Sequence, residues 1–330
     1  GECGNYRSPV YELLVAAGIT THGQQSIKMI ANYVMGRGFS VQYGDTDSLY
    51  LICPDSYYLD IDARYLTELT RINDDYAALT PAEREASDKQ LTAEVKQQIQ
   101  HELQKHETNH IMKNLTKFKH DQIFNGEPDL TKRILGYRAK INYWEAMVLA
   151  TMRIINDLTV EIAELLMYDN GTRYLTMAYE EVGFPSVLCG KKKYFLKPHI
   201  KTVDFESESI MIRGIEVIKQ GQAPVARRIG YELMYEALSP YNNFSLLELS
   251  KLKLEKFYSI DWDPAEFAKA STYRPHKKNV AVNTFVDRMR QLQKIYSANT
   301  EEDNKMRALY DPPAPGDKFK WIYVRKAQEY

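Results

Sequence analysis

Two carboxylates lie two residues apart in the hexapeptide Tyr43-Gly44-Asp45-Thr46-Asp47-Ser48. Apolar, β-prone runs flank this string, Phe39-Ser40-Val41-Gln42 before it and Leu49-Tyr50-Leu51-Ile52 after it. Because a glycine frees the backbone for a tight reversal, the pattern predicts a β-hairpin with Asp45 and Asp47 at its tip. Mg²⁺ prefers oxygen ligands and takes one or two protein carboxylates together with substrate phosphates. The hexapeptide therefore indicates metal-assisted chemistry on a phosphate.

An ordinary turn is the alternative interpretation of the same residues. Gly, Asp, Thr and Ser are common turn residues, and Asp-Thr-Asp by itself is more often a turn than a site. The complete six-residue string is far more specific, with a chance occurrence on the order of one in 10^5 in a chain of this size. The specificity of the whole string favours the metal site.

Several segments together resemble the family B, replicative-type DNA-dependent DNA polymerases. The hexapeptide is similar to motif C of that family, and Lys191-Lys192-Lys193-Tyr194 is similar to the basic motif near its palm and thumb boundary. Tyr179-Glu180-Glu181-Val182 places Glu180 where the family has an acidic residue on a strand beside motif C. Arg213-Gly214-Ile215-Glu216-Val217 resembles a further family segment, although Ile218-Lys219 stands where two arginines are common.

The resemblance implies an α+β fold with an antiparallel palm sheet backed by helices, followed by a mainly helical thumb domain. Residues 1–200 would be palm, with a helical insertion at about 55–139, and residues 201–330 would be thumb. Gly1 resembles the last glycine of motif B, so the metal-binding Asp of motif A is expected upstream. This segment alone is therefore expected to be inactive.

The implied function is DNA-directed DNA polymerase, a template-directed nucleotidyl transfer with two Mg²⁺ per active site in the complete enzyme. By resemblance, Asp47 ligates metal directly, Asp45 is a secondary ligand, and Glu180 is a weaker third candidate. Four residues of the hexapeptide support the turn, namely Tyr43, Gly44, Thr46 and Ser48. The expected DNA-binding residues are Lys191, Lys192, Lys193, Tyr194, Arg213, Gly214 and Lys219.

Partners and location follow from the same resemblance and from composition. The expected partners are primer-template DNA, deoxynucleoside triphosphates and the upstream palm, fingers and exonuclease parts, with a processivity factor as a further candidate. No apolar run approaches the roughly 18 residues that span a bilayer, and three scattered cysteines indicate a reducing compartment. A soluble intracellular protein is expected, in the nucleus or at a cytoplasmic viral replication site. Abundant tyrosine and the insertion favour a large DNA virus as its source.

The charge of the chain is divided between its two parts. The net charge is -1 over 330 residues, but residues 1–190 hold 18 Lys and Arg against 26 Asp and Glu, and residues 191–330 hold 25 against 18. An acidic part with the metal site and a basic part that begins at a lysine triplet suit an enzyme that grips a duplex. The alternative for the lysines is a solvated basic run, which their position after Glu180 disfavours.

Helix signals surround the predicted hairpin. Ser8-Pro9 predicts a helix start, and apolar spacing continues to a stop at Gly36 or Gly38. Thr80-Pro81-Ala82-Glu83 predicts a capping box that opens a long charged helix reaching about Lys119. A more apolar helix is predicted over 143–167. Capped helix starts are also predicted at Ser245-Leu246-Leu247-Glu248 and Asp263-Pro264-Ala265-Glu266. The charged helix is interpreted as a solvated face, with partner binding as the alternative.

Two further function classes remain open. His106-Glu107-Thr108-Asn109-His110 matches the H-E-x-x-H pattern, which on a helix places two imidazoles on one face for Zn²⁺ and a glutamate to activate water. The match has a chance expectation of roughly 1% and lacks the usual apolar surroundings, so a zinc metallohydrolase is a minor alternative. The other alternative is a noncatalytic DNA-binding subunit.

Overall fold

The computed structural model describes residues 2–45, 47–125, 129–275, 280–295 and 300–322. Asp45 is described in its backbone only. In chain order the helices are α1 (Leu13–Gly36), α2 (Leu59–Ala78), α3 (Pro81–Lys105), α4 (His110–Phe124), α5 (Leu130–Asn170), α6 (Pro224–Ala237), α7 (Leu246–Tyr258), α8 (Val280–Ile295) and α9 (Glu301–Leu309). The predicted α+β class is confirmed, because helices accompany small antiparallel sheets.

Seven strands form three antiparallel sheets in the described part of the chain. They are β1 (Ser40–Asp45), β2 (Ser48–Ile52), β3 (Val182–Gly190), β4 (Lys193–His199), β5 (Met211–Arg213), β6 (Lys269–Thr272) and β7 (Lys318–Trp321). Strands β1 and β2 pair as a hairpin, β4 lies between β3 and β5, and β6 pairs with β7. Consecutive strands pair in the first two sheets, so the charged turns of both hairpins are fixed by local connections.

The chain forms two compact units. The first contains Gly1–Arg213 and Leu238–Asn243, and the second contains Gly214–Ala237 and Phe244–Tyr330. The hairpin β1–β2 and the sheet β3–β4–β5 belong to the first unit. Helices α6 to α9 and the β6–β7 pair belong to the second.

The long charged helix of the prediction is two helices. Its start is confirmed, since the Thr80 side chain accepts the Glu83 N–H and the Glu83 carboxylate accepts the Thr80 N–H. The extension to Lys119 is wrong, because α3 ends at Lys105 and α4 begins after Asn109. The Asn109 side chain accepts the Met112 N–H, and an Asn that caps a new helix in this way competes with continuation of the old one.

Other boundaries also differ from the sequence expectations. Helix α1 starts at Leu13 with Glu12 as its cap, because Ser8 accepts the Tyr11 N–H in a turn that precedes the helix. Helix α5 extends the predicted 143–167 segment in both directions and ends where Gly171 takes φ 67°. Helix α2 was not predicted as a separate helix, although it lies within the helical insertion expected at about 55–139.

An apolar core holds the β1–β2 hairpin. Buried residues of α1 and α5 meet there with Phe39 and Cys53, which flank the hairpin in sequence; the helical members are Ile30, Val34, Leu158, Ile162 and Leu166. Val41, Leu49 and Leu51 of the hairpin pack against this core from one face. The hairpin thus packs on core residues of two helices, and these residues, such as Val34 and Leu158, lie more than a hundred positions apart in sequence. No helix in the described part of the chain is long and apolar enough to cross a membrane.

Candidate functional site

The acidic hairpin consists of β1, β2 and the turn between them. The predicted hairpin is confirmed, with Asp45 paired to Ser48 at the end of the ladder and Tyr43 paired to Tyr50. Asp47 lies in the turn and is exposed. Thr46 and the side chain of Asp45 lie outside the described residues. The described carboxylate of the turn is therefore presented to solvent, where a ligand can reach it.

Gly44 is required for a reason other than the predicted one. Its φ lies outside the left-handed region, so the turn does not use the special backbone freedom of glycine at this position. A Cβ on Gly44 would lie 3.2 Å from Cδ2 of Leu49, its cross-strand partner. The glycine therefore accommodates the close approach of Leu49, which packs on the apolar core.

The lysine hairpin consists of β3, β4 and the turn between them. Gly190 pairs with Lys193, which leaves Lys191 and Lys192 as the two residues of the turn. Lys192, the second turn residue, has φ 59°, and Gly190, just before the turn, has φ 149° where the ladder shows an irregularity between Leu188 and Gly190. All three lysines are exposed. The lysine triplet thus forms a compact basic tip on the first unit.

Three tyrosines join the two hairpins, and we call Tyr43, Tyr50 and Tyr194 the tyrosine cluster. Tyr43 and Tyr50 are cross-strand partners whose ring centroids lie 5.8 Å apart. The Tyr194 ring lies 6.3 Å from Tyr43 and 5.4 Å from Tyr50. The hydroxyl oxygens of Tyr50 and Tyr194 are 2.9 Å apart and hydrogen-bonded. The acidic and basic hairpins are therefore in direct contact through aromatic side chains.

Tyr194 is turned away from the lysines that precede it. Successive strand residues face opposite sides, so Lys193 is exposed while Tyr194 is only 7% exposed. Tyr194 was expected to be a DNA-binding residue. In this structure its side chain contacts tyrosines of the acidic hairpin, an arrangement that the local sequence did not indicate.

Two glutamates flank the tyrosine cluster. Glu180 is exposed and lies outside regular secondary structure, two residues before β3 and not on a strand. Glu181 is partly buried, and burial raises the pKa of its carboxyl, helped by Glu180 and opposed by Arg213. Burial first, then the hydrogen bond with Tyr194, and then the charges of Tyr194, Glu181 and Glu180 raise the pKa of Tyr50. Glu181 thus belongs to the same neighbourhood, although only Glu180 was singled out from the sequence.

The remaining predicted DNA-binding residues lie on either side of the boundary between the units. Arg213 is the cross-strand partner of Tyr194 and therefore shares its face of the sheet, where it is exposed. Gly214 takes φ 63° at the first position of the second unit. Lys219 is exposed in the second unit, and its Nζ lies 2.5 Å from a carboxylate oxygen of Glu216. Arg213 thus accompanies the lysine hairpin within one unit.

The H-E-x-x-H string does not form a zinc site. His106 caps the end of α3 and His110 is the first residue of α4, so a helix break separates the two imidazoles. His106 is 8% exposed with its Nδ1 3.2 Å from Oε1 of Glu208, whereas the exposed His110 lies 3.2 Å from the Asn114 amide. The zinc alternative required one continuous helix, and this geometry contradicts it.

Within the described residues, no group of three or more His, Cys, Asp or Glu side chains is arranged to hold a metal ion. That description does not include the Asp45 side chain. The exposed Asp47 carboxylate suits Mg²⁺ in the kind of donor atom that it offers, since Mg²⁺ takes one or two carboxylates and completes its shell with water and phosphates.

Known proteins resemble the chain over its whole length. Proteins named DNA polymerase beta from African swine fever virus isolates Pig/Portugal/Lis 60/1960, Pig/Kenya/KEN-50/1950 and Tick/Malawi/Lil 20-1/1983 are each 31% identical over 340 residues. Each alignment covers 100% of this chain but only 22% of the viral protein, so the chain spans less than a quarter of these relatives. The matched region includes residues 55–139. No protein-family model matches the chain.

The comparisons contradict the family B prediction. The relatives carry the name DNA polymerase beta, which is a name of family X polymerases, and on that name the family B assignment is withdrawn. The physical reason is that paired carboxylates serving phosphoryl transfer recur on unrelated folds. A short acidic string therefore indicates the chemistry of a site and leaves the family open.

Proposed function

We propose that this chain is the part of a DNA-directed DNA polymerase that carries acidic ligands for the catalytic metal and grips the primer-template duplex. The observation that carries the proposal is the contact between the acidic and lysine hairpins through the tyrosine cluster. The contact joins the hairpin that carries Asp47 to the hairpin that carries the lysine triplet, which supports a carboxylate for phosphate chemistry and a basic tip for phosphate binding in one site. The names of the viral relatives, similar over the whole chain, support the same activity.

Each acidic residue has a distinct part in the proposal. In DNA synthesis the primer 3′-hydroxyl attacks the α-phosphate of the incoming nucleotide in line, and pyrophosphate leaves. Asp47 would hold Mg²⁺ directly, Asp45 would assist it, and Glu180 would be a weaker third ligand. Two bound Mg²⁺ ions would supply charge stabilisation at the attacking and leaving oxygens. The exposed turn gives Asp47 access to a triphosphate that enters from solvent.

The basic residues would neutralise duplex phosphates. Lys191, Lys192 and Lys193 stand exposed at a tight turn, and ammonium groups in such a position bind the sugar-phosphate backbone without reading bases. Arg213 lies on the sheet face of Tyr194 and not on that of Lys193, so it would bind phosphate from beside the acidic hairpin. The Glu216 ion pair weakens Lys219 as a phosphate ligand. Tyr194 would act through the acidic hairpin and not by touching DNA. The contacts would give affinity without sequence preference.

The two units would serve as palm and thumb, with the boundary near residue 213 instead of 200. Because the chain spans only 22% of its viral relatives, the polymerase activity is proposed for the intact protein. Its partners would be primer-template DNA and deoxynucleoside triphosphates, with a processivity factor as a further candidate. Because the similar proteins are viral, we place the enzyme in viral DNA replication.

Primer extension by the intact polymerase tests the proposal. Asp47→Asn keeps the size of the side chain and removes its charge, so incorporation should fall by roughly 10^3-fold, about 4 kcal/mol of transition-state stabilisation, while duplex affinity is retained. Asp74→Asn, at an exposed position of α2, is the matched control and should behave as wild type. Substantial incorporation by Asp47→Asn would refute the metal-binding role of Asp47.

A further inference from the structure

The tyrosine cluster contains a direct polar link between the two hairpins. The hydroxyls of Tyr50 and Tyr194 lie 2.9 Å apart, and either can donate. Tyr50 lies in β2 two residues after Ser48, and Tyr194 follows Lys193 directly. Each hydroxyl therefore belongs to a residue only a few positions from a charged turn, and the hydrogen bond connects the strands that carry those turns.

The surroundings make this hydrogen bond stronger than an exposed one. Tyr194 is buried and Tyr50 is partly buried, so removal of either hydroxyl leaves the other without its protein partner in a poorly hydrated place. Burial and the hydrogen bond both raise the pKa of Tyr50, whose phenol is neutral at physiological pH even at its ordinary pKa of about 10. Ring contacts with Tyr43 hold both rings in orientation.

We propose that the Tyr50–Tyr194 hydroxyl pair is a positioning contact that keeps the acidic turn in register with the lysine hairpin during nucleotide incorporation. The inference rests on the proposed function. Neither tyrosine is a catalytic residue, because each hydroxyl is engaged with the other and acts through the hairpins. A duplex held by the lysines would then present its primer end at a fixed place relative to Asp47, and such placement controls the rate of a reaction between bound groups.

Phenylalanine substitutions in the complete polymerase isolate the hydroxyl pair. Tyr50→Phe and Tyr194→Phe retain the rings and remove one partner each. Each should lower the incorporation rate at saturating duplex and nucleotide by about threefold to tenfold, with Kd for the duplex unchanged. The double variant should be no slower than either single variant, because all three lack the same bond. Tyr174→Phe, at a position that is 95% exposed, is the matched control.

A spectroscopic measurement of tyrosine ionisation distinguishes loss of the Tyr50–Tyr194 hydrogen bond from a general loss of stability. In the Tyr194→Phe variant the phenol of Tyr50 should ionise at a lower pH than in the wild type, because Tyr50 has lost its hydrogen-bond partner. Wild-type rates in both single variants, or losses that multiply in the double variant, would overturn the inference. If Asp47→Asn is inactive while the tyrosine variants match wild type, only the positioning role fails. If Asp47→Asn remains active, the proposed function fails.

Discussion

The two charged hairpins of the first unit are anchored in different ways. The acidic hairpin is a two-stranded sheet that rests on the apolar core with one face, through partly exposed side chains. The lysine hairpin is part of a three-stranded sheet, and its central strand β4 buries four successive residues from Tyr194 to Lys197. The basic tip therefore stands on the more deeply buried strand. The position of the acidic turn depends on the packing of one hairpin face against the apolar core and on the tyrosine cluster.

The largest expected effect tests this difference in anchoring. Leu196 of β4 is 1% exposed, so Leu196→Ala should lower the free energy of unfolding by about 3 kcal/mol through lost burial and a cavity. Leu51→Ala in the acidic hairpin removes a partly exposed side chain and should lower it by about 1 kcal/mol. Urea unfolding measures both values. Equal losses would contradict the unequal anchoring of the two strands.

Substitution by alanine at Gly190 and at Gly44, the glycines beside the two hairpin turns, should lower the free energy of unfolding for different reasons. At Gly190 an alanine must adopt φ 149°, which should lower the free energy of unfolding by about 2 kcal/mol through backbone strain. Gly44→Ala meets Cδ2 of Leu49 at 3.2 Å and should lower it by about 1 kcal/mol. Adding Leu49→Val should reduce the Gly44→Ala loss, because it removes the crowded atom. A loss that persists in that double variant would mean that Gly44 is required for backbone freedom after all.

The lysine tip should control duplex affinity and not the chemical step. Lys191→Ala together with Lys192→Ala should weaken primer-template binding roughly tenfold and reduce the slope of log K against log salt by about 2. Lys89→Ala with Lys117→Ala, exposed lysines of α3 and α4, provides a matched loss of charge. Fluorescence anisotropy at several salt concentrations measures the slope. The same slope in both double variants would show that the lysine tip makes no special contact with DNA.

The smallest expected effect is a pH dependence of stability that arises from His199, a buried residue of β4 in the three-stranded sheet. His199 is 1% exposed; its Nε2 lies 2.7 Å from the Phe184 carbonyl, and its Nδ1 accepts the Asp204 N–H, an arrangement that fits a neutral ring. Burial, above all, lowers the pKa of His199, with nearby Lys197 acting in the same direction. The unfolded state therefore binds the proton more readily, and stability should decrease as pH falls below about 6.5.

His199→Gln provides the test of that sign. Between about pH 7.5 and pH 5.5 the wild type should lose about 1 kcal/mol more unfolding free energy than the variant does. Urea unfolding at the two pH values gives the difference. A wild-type protein that becomes more stable on acidification relative to His199→Gln would reverse the assigned direction of the pKa change.

Local patterns predicted the parts of the fold that local interactions determine. The hairpin at Asp45 and Asp47, the capping box at Thr80 and the capped start of α7 at Ser245 follow from residues a few positions apart. The capped start expected at Asp263 is only a short 3-10 helix, because Ala268 leaves the helical region four residues after Pro264. The helix break after His106 was not predicted, because a polar residue such as Asn109 within a charged run is equally compatible with a continuous helix.

The arrangement of the candidate site could not be predicted in the same way. Tyr50 and Tyr194 lie 144 residues apart, and no local signal distinguishes a tyrosine that stacks in a cluster from one that contacts a ligand. Glu180 and Glu181 are neighbours in sequence, and tertiary packing alone decides which of them is partly buried. The family B prediction was wrong because it depended on short strings whose chemistry is shared by unrelated folds.

Metal-directed cleavage of the protein backbone tests most directly whether the acidic turn holds a catalytic metal. In the intact polymerase with primer-template DNA, Fe²⁺ and ascorbate in place of Mg²⁺ should cut the chain beside residues 45–48. Excess Mg²⁺ should suppress the cut, and Asp47→Asn should abolish it. Cleavage elsewhere in the chain with none at this turn, or the same cut in Asp47→Asn, would contradict the account.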